Sequence, residues 1–184
     1  MNKPRIVYIH GDQVRYWSWG WVRTLAEELE TEDYETFFEL FPDSIEARAQ
    51  YWLPFLQEYV QAGEHDVLLG WSCGAVAAMR YAQEHRVRGL ILIAPYYTDL
   101  GREEVRRSGF VTPGWQWDKI RANAGKIAMF HSDADPFIPQ GELSELAHNL
   151  KAEVHTIPGA GHFGEQAEFD ELSAYIRDTY GDGD

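Results

Sequence analysis

The sequence predicts an α/β fold in which a mostly parallel sheet carries helices on both faces. Short apolar runs with strand character alternate along the chain with segments whose apolar residues recur at helical spacing. Residues 89–94 are continuously apolar, which is typical of a parallel strand buried on both faces. Residues 1–184, of which 45% are hydrophobic, suit one domain with a substantial core.

The first half of the chain supplies two of these alternations. Residues 5–10 and 34–40 have strand character, and a helical repeat lies between them. Asp43, with Glu46 three residues later, resembles a capping box that would begin the next helix. Pro54 should kink or interrupt that helix, because proline lacks an N–H and clashes with the preceding turn.

The second half repeats the pattern with stronger strands. A short apolar run at 66–69 precedes an alanine-rich helix, and further strands are predicted at 126–131 and 153–157. Residues 95–118 fit neither period, are rich in aromatics and glycine, and directly follow a strand. We therefore expect a cap-like excursion over the carboxyl edge of the sheet, where open α/β sheets bind ligands.

One motif carries chemistry. Gly70-Trp71-Ser72-Cys73-Gly74 matches G-x-S-x-G, with an apolar run before it and a helix after it. A nucleophilic serine on such a tight strand-to-helix turn stands clear of the backbone, and its close neighbours leave room only for glycines. The motif therefore predicts Ser72 as a nucleophile, with the positive end of a helix directed at the reacting carbon.

A nucleophilic serine needs a base, and the base needs an orienting acid. The chain order with this turn is serine, acid, histidine. Asp133 and Asp135 both follow the strand at 126–131, and His162 follows the strand at 153–157, so all lie at one sheet edge. Asp135 precedes a proline that favours a turn just past the strand, which makes it the better candidate, with Asp133 the alternative.

Two backbone N–H groups are candidates for an oxyanion hole: Asp12, after the first strand, and Cys73, after the nucleophile. Cys73 is not expected to be the nucleophile, because the two glycines centre on Ser72. Several aromatic side chains could wall a substrate pocket, although ordinary packing is an equally good interpretation of them. They are Trp71, Tyr96, Tyr97, Trp115 and Trp117.

Short motifs that extend through most of the chain add to the catalytic pattern. They are Trp19-Gly20-Trp21-Val22, Trp52-Leu53-Pro54-Phe55, residues 72–81, Thr98-Asp99-Leu100-Gly101, Trp115-Gln116-Trp117, Asp135-Pro136-Phe137-Ile138-Pro139 and Gly161-His162-Phe163. Taken together, these motifs are similar to those of the retinoblastoma-binding protein nine group of small serine hydrolases, within the α/β-hydrolase superfamily. One difference from that group is His10-Gly11-Asp12-Gln13, which replaces a glycine-richer loop.

This resemblance implies a compact α/β-hydrolase fold, a triad of Ser72, Asp135 and His162, and esterase-like activity. It favours Asp135 over Asp133. Acyl transfer by these three residues needs no cofactor. The family name also suggests binding to the retinoblastoma protein. An L-x-C-x-E pattern here would have to contain Cys73, and Trp71 and Ala75 break it, so the sequence does not support that partner.

Composition narrows the function classes. The net charge of −14 makes nucleic acid and anionic membranes unfavourable partners.

No secretory signal or membrane span is visible, and a single cysteine suits a reducing compartment, so a cytoplasmic location is expected. His148, His155 and His162 are equally spaced but belong to different elements, so no metal site is expected.

The sequence therefore predicts an esterase with a small-molecule substrate. A peptidase or amidase with the same three residues is the alternative within enzymes. A non-catalytic binding module on the same scaffold is the alternative outside them.

Overall fold

The computed structural model describes residues 3–181, and these form a six-stranded, entirely parallel sheet with strand order β2-β1-β3-β4-β5-β6. This architecture confirms the predicted fold class. The strands are β1 (Arg5–Ile9), β2 (Thr36–Phe37), β3 (Asp66–Trp71), β4 (Val87–Ile93), β5 (Ala124–His131) and β6 (Glu153–Thr156).

Helices cover both faces of the sheet, and each face has its own apolar cluster. Alternate residues of β1 enter opposite clusters: Val7 and Ile9 face one side, and Ile6 and Tyr8 face the other. The helices are α1 (Trp21–Thr31), α2 (Ala49–Pro54), α3 (Cys73–Ala82), α4 (Glu103–Ser108), α5 (Trp117–Asn123), α6 (Gln140–Leu150) and α7 (Asp170–Tyr180). Buried residues of α1 and α7 belong to one cluster, and those of α2, α3, α5 and α6 belong to the other.

The segment before α2 differs from the prediction. Asp43 does not cap a helix: its carboxylate accepts hydrogen bonds from the Arg48 backbone N–H and guanidinium, and α2 begins only after Arg48. The capping-box expectation was wrong because the arginine offers that carboxylate a charge-assisted, two-pronged partner. The predicted strand at 34–40 is also shorter, since only β2 within it pairs with the sheet.

Pro54 has the effect that was expected of it. The α-helical hydrogen-bond pattern of α2 ends there, and the chain continues as a wider π-helical turn over Phe55–Tyr59. The turn still buries Leu56 in the same cluster as Trp52, so the interruption keeps the apolar face of the helix continuous.

The segment over residues 95–118 follows β4 and contains α4 and the start of α5. Arg102 and Val105 from this segment lie over the carboxyl edge of the sheet, where they line a cavity together with Ser72. Within residues 3–181, no helix is long and apolar enough to cross a bilayer.

Candidate active site

The turn between β3 and α3 holds Ser72 in a backbone conformation that is rare for a side chain. Its φ is 54° and its ψ is −118°, and its N–H donates to the carbonyl oxygen of Ile93 in β4. Such a conformation costs about 1–3 kcal/mol and persists only where the surrounding structure imposes it. The serine hydroxyl is thereby fixed at the carboxyl edge of the sheet.

The two glycines of the motif explain how the turn closes. A Cβ at Gly74 would overlap the carbonyl oxygens of Ile9 and His10, and a Cβ at Gly70 would overlap the backbone of Gly74 and Ala75. Any side chain at either position would push α3 away from the sheet. The turn therefore depends on direct contact between backbones, which only glycine allows.

Three predicted residues from three loops come together here in one hydrogen-bonded chain. His162 Nε2 lies 2.9 Å from Ser72 Oγ, and His162 Nδ1 lies 2.8 Å from Asp135 Oδ2. Because the carboxylate only accepts, it fixes Nδ1 as the protonated nitrogen and leaves Nε2 to accept the serine proton. The Asp135 side chain is 1% exposed and that of His162 is 17% exposed, so the acid lies deeper than the base.

The environment of Asp135 keeps its carboxyl group ionised. Burial by itself raises its pKa, but hydrogen bonds from His162 and from the Phe137 N–H outweigh burial and hold the pKa below 3.8. The N–H groups of Phe137 and Ile138 both donate to Asp135 Oδ1, at 2.8 and 3.1 Å, and leave Oδ2 to the imidazole. Asp133, by contrast, is exposed and accepts the Gly159 N–H at 2.8 Å. The two candidate acids therefore occupy different places, and only Asp135 contacts the imidazole.

Indole groups hold the loop that carries His162. Three consecutive carbonyl oxygens of this loop each accept a hydrogen bond from a different tryptophan Nε1–H. The pairs are Trp71 to His162, Trp21 to Phe163 and Trp19 to Gly164. Trp71 was predicted to wall a pocket; its indole packs beside the imidazole, with ring centroids 6.0 Å apart, and borders a groove that His162 also lines. The spacing of these tryptophans along the chain did not indicate that all three would donate to the same loop.

His10 is a functional candidate that the sequence does not single out. It is fully buried, its Nε2 accepts the Phe41 N–H at 2.9 Å, and its Nδ1 lies 2.6 Å from the Gly11 carbonyl oxygen. Burial lowers the pKa of His10, so the ring stays neutral and Nδ1 carries the proton. The Gly11 carbonyl therefore points at His10, and in a trans peptide the Asp12 N–H points the opposite way.

Both predicted oxyanion donors border the serine. Gly11 lies against Ser72, and Asp12 lines the same cavity as Ser72. Cys73 is the first residue of α3, so its N–H has no acceptor within the helix and lies at the positive end of the helix dipole. Burial raises the pKa of the Cys73 thiol, so the thiol stays protonated and is a poor nucleophile.

A cavity of about 210 Å³ opens above the serine. Tyr96 lines it, as predicted from the sequence, together with residues of the loop after β1, the 95–118 segment and the histidine loop. The lining residues are Asp12, Gln13, Ser72, Tyr96, Arg102, Val105, Phe137, Ile138 and His162. Within residues 3–181, no cluster of three or more His, Cys, Asp or Glu side chains is arranged to hold a metal ion.

Trp115 and Trp117 lie elsewhere. They stack on each other with ring centroids 5.3 Å apart, and the Arg80 guanidinium lies 3.8 Å from the centre of the Trp115 ring. Both border a groove beside α5 and α6 that does not contain Ser72. Tyr97, which the sequence also offered as a pocket wall, is in edge contact with Trp117. The structure thus separates these three residues from the serine cavity.

Comparison with known proteins agrees with this geometry. A family model described as serine hydrolase matches residues 9–178. Serine hydrolase RBBP9 of Rattus norvegicus is 40% identical over 167 residues, which cover 91% of this chain and 88% of the rat protein.

Solved structures share the fold at lower identity. The crystal structure of the ydeN gene product from Bacillus subtilis superimposes with a TM-score of 0.86 at 21% identity, covering 95% of this chain and 97% of that one. Est1E from Butyrivibrio proteoclasticus gives a TM-score of 0.71 at 15% identity, covering 96% and 86%. The family match over most of the chain, together with the identity to the rat enzyme, shows that the protein belongs to the serine hydrolase family, in the group of small enzymes that includes RBBP9.

Proposed function

We propose that the protein hydrolyses carboxylic esters of small molecules through an acyl-enzyme formed on Ser72. The observation that carries this proposal is the continuous hydrogen-bonded chain from Asp135 through His162 to the hydroxyl of Ser72. A non-catalytic binding module has no use for a serine held at a φ of 54°, because this backbone conformation costs stability.

Each group has a defined role in the proposed reaction. His162 Nε2 takes the proton of Ser72 while Oγ attacks the carbonyl carbon, and Asp135 stabilises the imidazolium that forms. The N–H groups of Cys73 and Asp12 donate to the oxyanion of the tetrahedral intermediate. His162 then gives its proton to the leaving oxygen as the carbon–oxygen bond breaks. Water, activated by the same imidazole, releases the acid and restores the serine.

A fluorophosphonate tests this function, because it phosphonylates a serine only where base and oxyanion donors act together. The expected result is one label per chain, found by mass spectrometry on the peptide that contains Ser72. His162→Gln should slow labelling by several orders of magnitude, whereas Ser173→Ala, at another buried serine on α7, should label at the wild-type rate. An unlabelled protein, or a label on any other serine, would contradict the proposal.

His10 should affect turnover without contacting substrate. His10→Ala removes the hydrogen bond that orients the Gly11 carbonyl, so the Asp12 N–H of the same peptide is no longer held in place. We expect kcat for ester hydrolysis to fall by about 10²-fold, the lower end of the effect of losing one oxyanion donor.

Because oxyanion stabilisation acts in the transition state, KM should change little in this variant. The buried Phe41 N–H loses its acceptor, so the assay needs a temperature at which circular dichroism shows the variant folded. A purely structural histidine would lower the melting temperature and leave kcat of the folded protein unchanged, which would refute the positioning role.

A further inference from the structure

We propose that the aromatic part of the substrate is its leaving group, and that the acyl part is small. The leaving group would occupy an aromatic groove beyond His162, and the acyl group would occupy the small cavity over Ser72. This inference rests on the proposed function and assigns its two substrate sites.

The aromatic groove has a volume of about 830 Å³, within the range of cavities that bind small molecules. Trp71, Trp19 and Phe137 are its large apolar side chains, and Trp19 and Phe137 are 51% and 56% exposed. Two half-exposed aromatic rings that border one groove form an apolar surface that water solvates poorly. The groove is lined by Trp19, Trp71, Ala134, Pro136, Phe137, residues 158–162 and residues 164–166.

The cavity over Ser72 is different in size and chemistry. Its volume of about 210 Å³ falls below the usual range for drug-sized ligands. Charged or hydroxylated side chains border it, among them Asp12, Tyr96 and Arg102. A second cavity of about 200 Å³ shares Asp12 and Tyr96 with it and is lined further by Glu46, Arg48, Glu104 and Arg107. The cavity over Ser72 is small and offers polar partners, which suits a short, polar group rather than an aromatic ring.

The catalytic imidazole lies at the boundary between these two spaces. His162 and Phe137 line both the cavity over Ser72 and the aromatic groove, and the two rings meet edge to face with centroids 5.1 Å apart. Cys73 and Asp12, the proposed oxyanion donors, do not line the groove. The site is therefore asymmetric, with the proton donor between the groove and the serine.

The chemistry of the second half of acylation decides which part of the substrate lies where. When the carbon–oxygen bond breaks, the alkoxide oxygen takes the proton from His162 Nε2, so this oxygen must lie on the imidazole side of the reacting carbon. The carbonyl oxygen must point the other way, toward the N–H groups of Cys73 and Asp12. The alcohol part therefore leads into the aromatic groove, and the acyl part remains in the polar cavity.

The expected substrates are esters that join a short, preferably polar carboxylic acid to an aromatic or arylalkyl alcohol. Phe137 and Trp19 would be the residues that select the alcohol. Burying a phenyl ring against them should raise kcat/KM by about tenfold or more, from the apolar surface that is removed from water.

A pair of isomeric esters tests this assignment directly. In 2-phenylethyl acetate the ring belongs to the alcohol, and in ethyl phenylacetate it belongs to the acid, while the formula and the primary alkoxide class of the leaving group stay the same. Each kcat/KM is divided by the alkaline hydrolysis rate of that ester, which removes intrinsic reactivity. We expect the corrected ratio to favour 2-phenylethyl acetate by about tenfold or more.

Variants locate the source of that preference. Phe137→Ala should bring the corrected ratio toward unity, and Phe137→Tyr, which keeps the ring, should retain it. Tyr59→Ala provides the matched control, since this tyrosine is 63% exposed but lies on the π-helical turn, away from both spaces. It should retain both the ratio and the wild-type rate.

The outcomes separate the two proposals. If Ser72 is labelled by the fluorophosphonate but ethyl phenylacetate is preferred, or Phe137→Ala leaves the ratio unchanged, the site assignment is wrong and the proposed function stands. If Ser72 is not labelled and neither isomer is hydrolysed, both proposals fail together.

Discussion

Ser72→Ala is expected to lower kcat for ester hydrolysis by about 10⁶-fold, the loss seen when a triad nucleophile is removed. The change deletes one oxygen atom, and alanine meets the same backbone strain at a φ of 54°, so the free energy of unfolding should change by less than about 1 kcal/mol. The turnover of wild type and variant is measured by titrating the acid that ester hydrolysis releases. Their free energies of unfolding are measured by urea denaturation. Retained turnover in a folded Ser72→Ala protein would remove the serine from the mechanism.

Asp135→Asn is expected to lower kcat by about 10⁴-fold while the protein stays folded. The asparagine amide donates where the carboxylate accepted, so it favours the imidazole tautomer with the proton on Nε2, which cannot take the serine proton. Asp133→Asn is the matched control two residues away. Its carboxylate contacts Gly159 and not the imidazole, so its effect on kcat should stay below about tenfold. Steady-state kinetics on both variants would expose a reversed assignment of the acid.

The pH dependence of the free energy of unfolding tests the ionisation of Asp135 independently of kinetics. Its folded-state pKa is depressed, so the carboxylate contributes stability that is present above its ordinary pKa of 3.8 and is lost as pH falls through the depressed value. Asp135→Asn lacks this contribution. The difference in unfolding free energy between wild type and variant should therefore shrink as the pH is lowered below about 4.

The fold and the central part of the site could be predicted because short-range patterns fix them. An apolar run followed by glycine, serine and a small-residue helix allows one backbone path, and both glycines prove to contact backbone atoms. Parallel strands then bring the loops that carry Asp135 and His162 to the edge where Ser72 lies.

Features that depend on long-range packing could not be predicted. Asp43 and Glu46 have capping-box spacing, yet the partner of Asp43 is an arginine five residues on. Trp115 follows a strand at the correct edge, but its Nε1–H bonds to the Tyr97 carbonyl and its ring packs on Arg80, which turns it from the serine. Irregular segments have no periodicity from which such directions follow.

The hydrogen bonds of His10 and of the three tryptophans were missed for a related reason. Each joins residues 31 or more positions apart, except for the bond between His10 and its neighbour Gly11. One signal was available: a histidine directly after a buried strand and before a glycine needs hydrogen-bond partners if its ring is buried. One of those partners, however, is the Phe41 N–H in the loop before α2, and the sequence did not predict correctly where α2 begins.

The residue after Asp135-Pro136 performs two separable tasks. Phe137 holds the acid in place through its backbone N–H, which any residue except proline supplies, while its side chain forms the wall beside the imidazole. Mutation can therefore vary the wall without disturbing the acid. A directed-evolution library at this single codon would vary the wall of the proposed alcohol site while the backbone N–H that Asp135 accepts is kept.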